Sequence, residues 1–571
     1  MRTADFLGKV NLLWPDEACR DARKRKDGLS EDSCRDIGLD SVVNEYSVTG
    51  VYREYVKSLF TEMCEDVEVI HYRQDIIDDM ICCPEVESGV RSILAIACEV
   101  EAYSRSESVT TPDVLKLVKS FRETDLYGSC ISRAREIILR ISDKIKSKGL
   151  CLLRDEILKL SDKFTGVYPD VETKKENEYV KPASITLGIN LDSDLRPMEA
   201  TFISVNDSRY TRAPFLNRLM RNNGEFESIY EFHPSEEGGL KERILEELEE
   251  ASGSLVRIDS TALQLSLISD LDRIMKNTIS PLRTIIYRYT NTYSKFFVEL
   301  RCELLFFVGS VNLIQRLKRA GLPMTRPKIH EKEKRVLSMQ GLYNINLALK
   351  SQEDRLRCIV QNDLDFDEEG SIFILTGPNS GGKTTYINAA ALIQVLAQAG
   401  MYVPASSADI SPVDNIYTHF TSEEKKDTDY GRLGEEAERL RQIFNCATKY
   451  SLIVLNESLS STSPGECLYM SRDIVTGLKY LDAKAIFATH LHELALELDK
   501  VNSCCRGKGV IRSLVAGTRK QQDSSGAESY MRTYKVMEAP PQGLSYAKDI
   551  AESFGISFEQ IEKLLDERFV I

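Results

Sequence analysis

The segment GPNSGGKT in the C-terminal half has the residue types and spacing of a loop that wraps around phosphate groups. It fits the pattern G-x-x-x-x-G-K-[ST] in full. Glycines allow the backbone to turn its N–H groups inward, and the N-terminus of a following helix adds partial positive charge. A lysine reaches the β- and γ-phosphates, and a threonine hydroxyl binds Mg²⁺. The sequence therefore predicts a site for ATP and Mg²⁺ formed by Gly377, Pro378, Asn379, Ser380, Gly381, Gly382, Lys383 and Thr384.

The elements predicted around this loop are those that such a loop needs. The apolar run SIFILT, residues 371–376, predicts a buried strand before it, and the run at 385–400 predicts a helix after it. Two more buried strands are predicted at 451–456 and 483–489. Strands that are apolar along their whole length and alternate with helices are typical of an α/β domain with a parallel sheet.

Two polar residues follow the predicted strands and could act on a bound triphosphate. Glu457 follows the strand at 451–456, where a carboxylate polarises the water that attacks the γ-phosphate. His490 follows the strand at 483–489, where a neutral imidazole holds that water or senses the γ-phosphate. The alternatives are a surface glutamate at a strand end and a structural histidine. His492 completes an H-x-H pair, but two histidines alone are poor evidence for a metal site.

Asn456 stands where magnesium-dependent ATPases usually have an aspartate. Its amide oxygen accepts hydrogen bonds from metal-bound water, but it brings no charge. The loss of such a partner commonly costs about 10–100-fold in metal affinity or activity. Lys383, Thr384 and the phosphates still hold the ion, and Glu457 is intact. We therefore predict a metal-side role for Thr384 and Asn456, in an ATPase that is active but slow.

The bulk composition indicates a multidomain globular protein. The 571 residues exceed what a single core accommodates, and 42% are hydrophobic and 28% charged. The net charge of −14 argues against a surface coated with basic residues, although a local basic stripe would suffice for nucleic acid. The 14 cysteines include no C-x-x-C pair, which disfavours zinc and favours reduced thiols in the cytoplasm. The sequence predicts neither a signal peptide nor a membrane span.

The patterns along the chain predict five segments. Residues 184–207 carry two strand-like runs around Asp-Ser-Asp. From Leu282, apolar residues recur every three or four positions to residue 317, which predicts an amphipathic helix of roughly 50 Å. That helix is either bundle core or a lever, and the basic stretch 316–335 is either a solvated face or a DNA backbone contact. The segments are a helical core domain (1–180), a β-hairpin insertion (181–239), a helical lever (240–335), an ATPase domain (336–542) and two short C-terminal helices separated at Gly555 (543–571).

Three stretches of the sequence resemble the MutS family of DNA mismatch-repair ATPases. They are TGPNSGGKTTYINAAALIQVLAQAGMYVPA (376–405), ATKYSLIVLNESLSSTSPGECL (447–468) and FATHLHEL (487–494). The long helix after the phosphate loop, followed by G-x-Y-V-P-A, is much more specific than the loop alone. The resemblance is strong over 340–560 and fainter over about 40–340.

The resemblance implies an α/β ABC-type P-loop ATPase domain with a mostly helical core and lever domain and a small β-hairpin, clamp-like insertion. It assigns the catalytic roles to Glu457 and His490, and it places Asn379 and Thr385 beside the phosphates. Ile359 falls near the position where the family has an aromatic residue that stacks on adenine. The implied protein binds double-stranded or branched DNA as a homodimer of ATPase heads, with its C-terminal segment serving dimerisation, and acts in mismatch repair or recombination.

Several features depart from the family pattern. The helical pattern begins within roughly the first 60 residues and the start of the chain shows no Phe-x-Glu reader, so we expect no mismatch-recognition or connector domain. The segment DYGRLGEEAERLRQIF (429–444) lacks the serine that reaches the partner's nucleotide in the family. Contact across a dimer would then depend on backbone donors at Gly431, Arg432 and Gly434.

Other classes of nucleotide-binding protein remain to be weighed. A transport-type ATPase needs an LSGGQ-like stretch before the second buried strand, which this sequence lacks. A cohesin-like ATPase needs far longer coiled-coil segments. The alternative that stays open is a non-catalytic, nucleotide-gated interaction protein that does not read mismatches, and Asn456 and the altered segment 429–444 favour it.

Overall fold

The chain divides into two compact units, which are described here from a computed structural model. One unit comprises Met1–Cys98, Glu136–Ile157 and Val298–Ile571, and the other comprises Glu99–Arg135 and Leu158–Phe297. The structure describes residues 11–23, 28–46, 48–104, 113–177, 184–191, 197–206, 295–351, 359–366, 371–378, 381–421, 431–504, 507, 509–522, 528–540 and 555–568.

Helix starts coincide with capping residues that the sequence supplies. The Ser30 hydroxyl accepts a hydrogen bond from the N–H of Ser33, and Ser463 does the same for Glu466 with Pro464 at the first helical position. The described helices are α1 Glu17–Arg23, α2 Glu31–Ile37, α3 Leu39–Asn44, α4 Val51–Thr61, α5 Val67–Cys82, α6 Pro84–Ser104, α7 Asp113–Ile141, α8 Lys148–Asn177, α9 295–319, α10 Ile345–Lys350, α11 Lys383–Gln398, α12 Gly431–Cys446, α13 Pro464–Leu481, α14 His492–Leu496, α15 Leu498–Cys504 and α16 Phe558–Glu567.

The strands form three sheets. They are β1 Ser184–Leu191, β2 Pro197–Asn206, β3 Lys328–Ile329, β4 Leu337–Leu342, β5 Asn362–Phe366, β6 Ser371–Thr376, β7 Ser407–Ile410, β8 Ile416–Phe420, β9 Leu452–Asn456, β10 Lys484–Ala488, β11 Val510–Gln522 and β12 Glu528–Glu538. A six-stranded sheet has the order β12-β11-β6-β10-β9-β8 and is parallel except for the antiparallel pair β11-β12. A four-stranded sheet has the order β3-β7-β4-β5, and β1 pairs with β2.

The centre of the six-stranded sheet is apolar and closed to solvent. Strands β9 and β10 are buried at every position, as is expected of parallel strands covered on both faces. Helices α12 and α13 contribute Leu440, Ile443 and Val475 to the core on the side of Ile453 and Phe487. Because β6, β9 and β10 run parallel, the residues that follow their last positions meet at one edge of the sheet.

Helix α2 packs against strand β8 and helix α12. The Thr418 hydroxyl donates to Asp36 Oδ2 at 2.7 Å, and Arg439 forms an ion pair with the same carboxylate. The Ser33 hydroxyl donates to the carbonyl oxygen of Ile416 at 3.3 Å. The N-terminal helices and the six-stranded sheet therefore belong to one compact unit. The five predicted segments follow the order of the sequence, and their bounds stay predictions.

The structure confirms the main elements predicted around the phosphate loop. Strands β6, β9 and β10 coincide with the predicted strands within one residue at each end, and α11 follows the loop. Helix α9 covers 295–319 of the predicted long helix, and Gly321 follows it with a φ of 81°, whereas residues 282–294 lie outside the described part.

The predicted hairpin and C-terminal helices are described in part. Strands β1 and β2 pair antiparallel within 184–207, and the turn between them lies outside the described residues. Helix α16 follows Gly555, and the helix predicted before Gly555 also lies outside them. Among the described helices, none combines the length and the apolar character that crossing a bilayer requires.

Candidate functional site

The phosphate loop joins β6 to α11. Its described glycines lie where a residue with a side chain would have a strained backbone or would clash with a neighbour. Gly377 has a φ of 146° and Gly382 a φ of 92°, in the region that favours glycine. A Cβ on Gly377 would lie 2.8 Å from the Cβ of Ala516, and one on Gly381 would lie 2.9 Å from the carbonyl oxygen of Pro378. The backbone of the loop is thus packed too closely for larger residues.

Lys383 is the first residue of α11, and only 4% of it is exposed. Its Nζ donates to the carbonyl oxygens of Gly377 at 3.0 Å and Pro378 at 3.2 Å. Burial lowers the pKa of the Lys383 ammonium to about 8. The ammonium therefore lies inside the loop that the sequence predicts. Asn379 and Ser380, also predicted members of the loop, lie outside the described residues.

Glu457 and His490 meet beside this lysine, although 33 positions separate them in the sequence. The Glu457 N–H donates to the carbonyl oxygen of Ala488 at 2.8 Å, which ties the end of β9 to that of β10. His490 Nε2 and Glu457 Oε1 are 2.6 Å apart, and Lys383 Nζ lies 3.4 Å from His490 Nδ1. The Glu457 carboxylate can only accept a hydrogen bond, and the Lys383 ammonium can only donate one. Nε2 of His490 therefore carries the proton, and Nδ1 accepts. The hydrogen bond with His490 is the largest cause that lowers the pKa of the Glu457 carboxyl.

The two residues predicted to lie on the metal side are also adjacent. The Thr384 hydroxyl donates to Asn456 Oδ1 at 3.3 Å, and 8% of Asn456 is exposed. Their oxygen atoms are of the kind that Mg²⁺ prefers. Among the described residues, no group of three or more His, Cys, Asp or Glu side chains is placed to hold a metal ion. Burial lowers the pKa of His492, the other member of the H-x-H pair.

A cavity of about 540 Å³ opens beside the loop. That volume lies within the range of roughly 300–1,000 Å³ that is typical of small-molecule sites. The residues that line it include Gly382, Lys383, Thr385, Ile359 and Tyr534. The structure therefore brings the predicted residues Ile359 and Thr385 to the same cavity as the phosphate loop.

Tyr534 is one of the lining residues that sequence reasoning missed. It belongs to β12, 46% of it is exposed, and its φ of 55° is unusual for a residue with a side chain. Asn362 holds this backbone, because its Nδ2 donates to the Tyr534 carbonyl oxygen at 3.1 Å and its Oδ1 accepts from the N–H of Val536 at 2.8 Å. Tyr534 is one of 24 tyrosines, and nothing next to it in the chain distinguishes it from the others, so the sequence alone could not have selected it.

Two family models match the chain over separate ranges. The model described as MutS2 N-terminal domain matches residues 65–320. The model described as MutS domain V matches residues 373–552, which include the phosphate loop, Glu457, His490 and Tyr534. Both models are of MutS-family domains. The part of the chain that holds the α/β sheet, the phosphate loop and the strand-end residues is accordingly similar to MutS domain V.

Curated relatives of this chain carry the name DNA mismatch repair protein MutS. The relative from Caldanaerobacter subterraneus subsp. tengcongensis is 32% identical over 209 residues, which are 34% of this chain and 23% of the relative. MutS 1 from Haloarcula marismortui is 31% identical over 201 residues, 34% of this chain and 21% of the relative. The relative from Prochlorococcus marinus is 37% identical over 136 residues, 24% of this chain and 15% of the relative. The chain thus spans less than a quarter of the length of these relatives.

Proposed function

We propose that this chain binds Mg·ATP at the phosphate loop and hydrolyses it slowly. The observation that carries the proposal is the continuous contact of Lys383, His490 and Glu457 at the opening of the loop. A cation for the phosphates, a neutral imidazole and an ionised carboxylate are the groups that hydrolysis of a triphosphate requires. Glu457 and His490 follow the parallel strands β9 and β10, and Lys383 begins the helix after the neighbouring strand β6, so the register of the three strands fixes their spacing.

Each group has a distinct task in the reaction. Water attacks the γ-phosphorus and the bond to the bridging oxygen of ADP breaks, while Glu457 accepts the proton that the water loses. His490 holds the Glu457 carboxylate through Nε2–H and is close enough to Lys383 to respond to the charge on the phosphates. Lys383 exchanges its two carbonyl contacts for the phosphate oxygens. When bound, Mg²⁺ neutralises charge that develops on the phosphates, and Thr384 and Asn456 would hold it.

The ring of Tyr534 supplies a flat apolar surface for the base in the cavity that Ile359 also lines. We expect Tyr534→Leu to weaken binding of ATP and ADP by about 1 kcal/mol, roughly fivefold in Kd. Tyr534→Phe keeps the ring and is the matched control, so its affinity stays close to that of the wild type. Titration of both nucleotides by calorimetry measures the effect. Equal affinities of the leucine and phenylalanine variants would contradict a role for the ring.

The lowered pKa of Lys383 predicts a pH dependence of nucleotide binding. Phosphate favours the charged ammonium, so the bound state raises the pKa above the value of about 8 in the free protein. Binding must then take up a proton above about pH 8, and affinity falls by up to tenfold for each further unit. Calorimetry in buffers with different ionisation enthalpies measures the uptake. Lys383→Arg stays charged and removes the dependence; a wild-type Kd that is constant from about pH 7 to about pH 9 contradicts the prediction.

We further propose that nucleotide state controls association with DNA and with a second copy of the chain. The names of the relatives, with their reference to DNA mismatch repair, and the long helix α9 that precedes the predicted ATPase domain in the chain support this proposal. The partners would be double-stranded or branched DNA, and the dimer would form through the ATPase heads in mismatch repair or recombination. The cysteines in the described residues are free thiols, in keeping with a cytoplasmic site of action.

The test compares mismatched, branched and plain duplex DNA at one fixed salt concentration, with ATP, ADP and no nucleotide. We expect the affinity for at least one DNA to change with the nucleotide, together with the mass of the complex in solution. Turnover of Mg·ATP is measured in parallel. A chain that binds no DNA in any nucleotide state at low salt refutes the DNA-binding part, and a chain that ignores Mg·ATP refutes the whole proposal.

A second candidate function is a nucleotide-gated interaction protein that does not hydrolyse ATP. The contact of Thr384 with an amide at Asn456 favours it, because a carboxylate would bind the metal side more strongly. Binding of Mg·ATP with no release of phosphate over many hours would decide for this candidate. Turnover that depends on Glu457 would decide against it.

A further inference from the structure

A buried histidine that the proposed reaction does not use contacts the residue that follows Glu457. His419 belongs to β8, and 1% of it is exposed. Its Nδ1 lies 2.8 Å from the hydroxyl oxygen of Ser458, the residue that follows Glu457. Its Nε2 lies 3.2 Å from the carbonyl oxygen of Glu436 in helix α12. The imidazole thus bridges the end of β9 and a separate helix.

The partners of His419 determine which nitrogen carries the proton. The Glu436 carbonyl oxygen can only accept, so Nε2 must be the N–H donor. Nδ1 then has a free lone pair, and the Ser458 hydroxyl donates to it. Burial lowers the pKa of His419 to about 4, with a contribution from the charge of Arg439, so the ring is neutral at pH 7. The direction of both hydrogen bonds is therefore set.

The backbone that this bridge holds is unfavourable on its own. Glu457 has a φ of 52° and Leu459 a φ of 64°, both in the left-handed region that residues with side chains avoid. Such conformations persist where surrounding contacts impose them. Ser458 stands between the two, 2% exposed, and its hydroxyl contacts His419. Leu459 is fully buried.

We propose that His419 is a positioning residue that keeps the Glu457 carboxylate in place through Ser458 and ties that placement to helix α12. The inference rests on the proposed hydrolysis, in which Glu457 receives the proton from water. The nucleotide itself contacts the loop and the cavity rather than His419, so the effect falls on kcat and not on KM. Movement of α12 would reach Glu457 through the Glu436 carbonyl oxygen, His419 and Ser458 in turn.

Two substitutions separate the two hydrogen bonds of the ring. In His419→Asn the amide stands near the position of Nδ1 and can still accept from Ser458, but it does not reach Glu436. In His419→Gln the amide stands near the position of Nε2 and can still donate to Glu436, but the Ser458 hydroxyl loses Nδ1 as acceptor and keeps only the longer contact of 3.3 Å with the backbone carbonyl oxygen of residue 419. Each variant gives up one buried hydrogen bond, so both lower Tm by similar amounts. If His419 had a purely structural role, the two variants would therefore have similar kcat values.

The experiment measures kcat and KM for Mg·ATP, and Tm, in the full chain and both variants. We expect His419→Gln to lose about 10–100-fold in kcat with KM unchanged, because a displacement of about 1 Å at a catalytic group costs on the order of 10²-fold. His419→Asn should lose less than about fivefold, since it keeps the acceptor for Ser458. Equal kcat values in the two variants, or a kcat of His419→Gln within about twofold of the wild type, overturn the inference.

A second measurement tests the bridge without reference to turnover. In protein labelled with ¹⁵N-histidine, His419 should be a neutral Nε2–H tautomer at pH 7, and Ser458→Ala should shift the resonance of Nδ1. A charged ring or an Nδ1–H tautomer overturns the inference. A wild-type chain that binds Mg·ATP but never releases phosphate is the failure of the proposed hydrolysis, and it is recognised before any variant is compared.

Discussion

Glu457→Gln is expected to lower kcat for ATP hydrolysis by about 10²–10⁴-fold, the range typical for loss of a general base. The substitution removes the charge that accepts the proton and keeps the shape of the side chain. The glutamine Oε1 still accepts from His490 Nε2–H, which lies 2.6 Å from the present carboxylate oxygen. Nucleotide affinity should change little, because the phosphates are held by Lys383 and the loop. The ATP-bound state should accumulate, and quench-flow with radiolabelled ATP measures both effects.

Glu438→Gln is the matched control for this experiment. Glu438 is an exposed carboxylate on helix α12 that pairs with Arg441. Glu438→Gln makes the same change in charge and volume as Glu457→Gln, at a residue that does not line the cavity. We expect its turnover to match the wild type. Unchanged turnover in Glu457→Gln would mean that the phosphate came from another site or a contaminating enzyme.

Asn456→Asp is expected to raise magnesium affinity and turnover by about 10–100-fold, the reverse of what loss of such a metal partner commonly costs. Thr384 already donates to the Asn456 amide oxygen at 3.3 Å, so an aspartate oxygen at the same position keeps this contact and adds a charge. A unit charge about 4 Å from the ion contributes up to about 4 kcal/mol at an effective dielectric of 20. Only part of this remains after screening.

The measurement is a titration of turnover with Mg²⁺ at saturating ATP. The half-saturating Mg²⁺ concentration should fall in Asn456→Asp, and kcat should rise. Asn456→Ser keeps a hydroxyl acceptor with no charge, so its half-saturating Mg²⁺ concentration should lie at or above that of the wild type and its kcat at or below it. An aspartate variant with the magnesium dependence of the wild type would show that the side chain at this position does not act on the metal.

Most of the candidate site could be predicted because its parts are local in the sequence. The phosphate loop is one continuous segment whose glycines and lysine act through their own backbone and side chain. Glu457 and His490 were found because each directly follows an apolar strand, and parallel strands end at one edge of a sheet. The family resemblance predicted the roles of Thr385 and Ile359, and both residues line the cavity.

The remaining contacts depend on residues that the sequence separates widely. Asn362 holds Tyr534 across 172 positions, and the antiparallel strand pair β11-β12 that carries the tyrosine was not predicted. His419 contacts Ser458 across 39 positions. A tyrosine on a strand and a histidine on a buried strand each have an ordinary role in a core, and nothing next to them in the chain distinguishes them.

Residue types and their spacing are enough to predict the chemistry of the site: the phosphate loop, the carboxylate, the imidazole, and the amide in place of a metal-side carboxylate. The fold is needed to show that the imidazole of His490 lies between Lys383 and Glu457, and that His419 contacts Ser458. Residue type and short-range pattern are properties of a segment. Distances between side chains are properties of the strand order and register, and these depend on the packing of the whole unit.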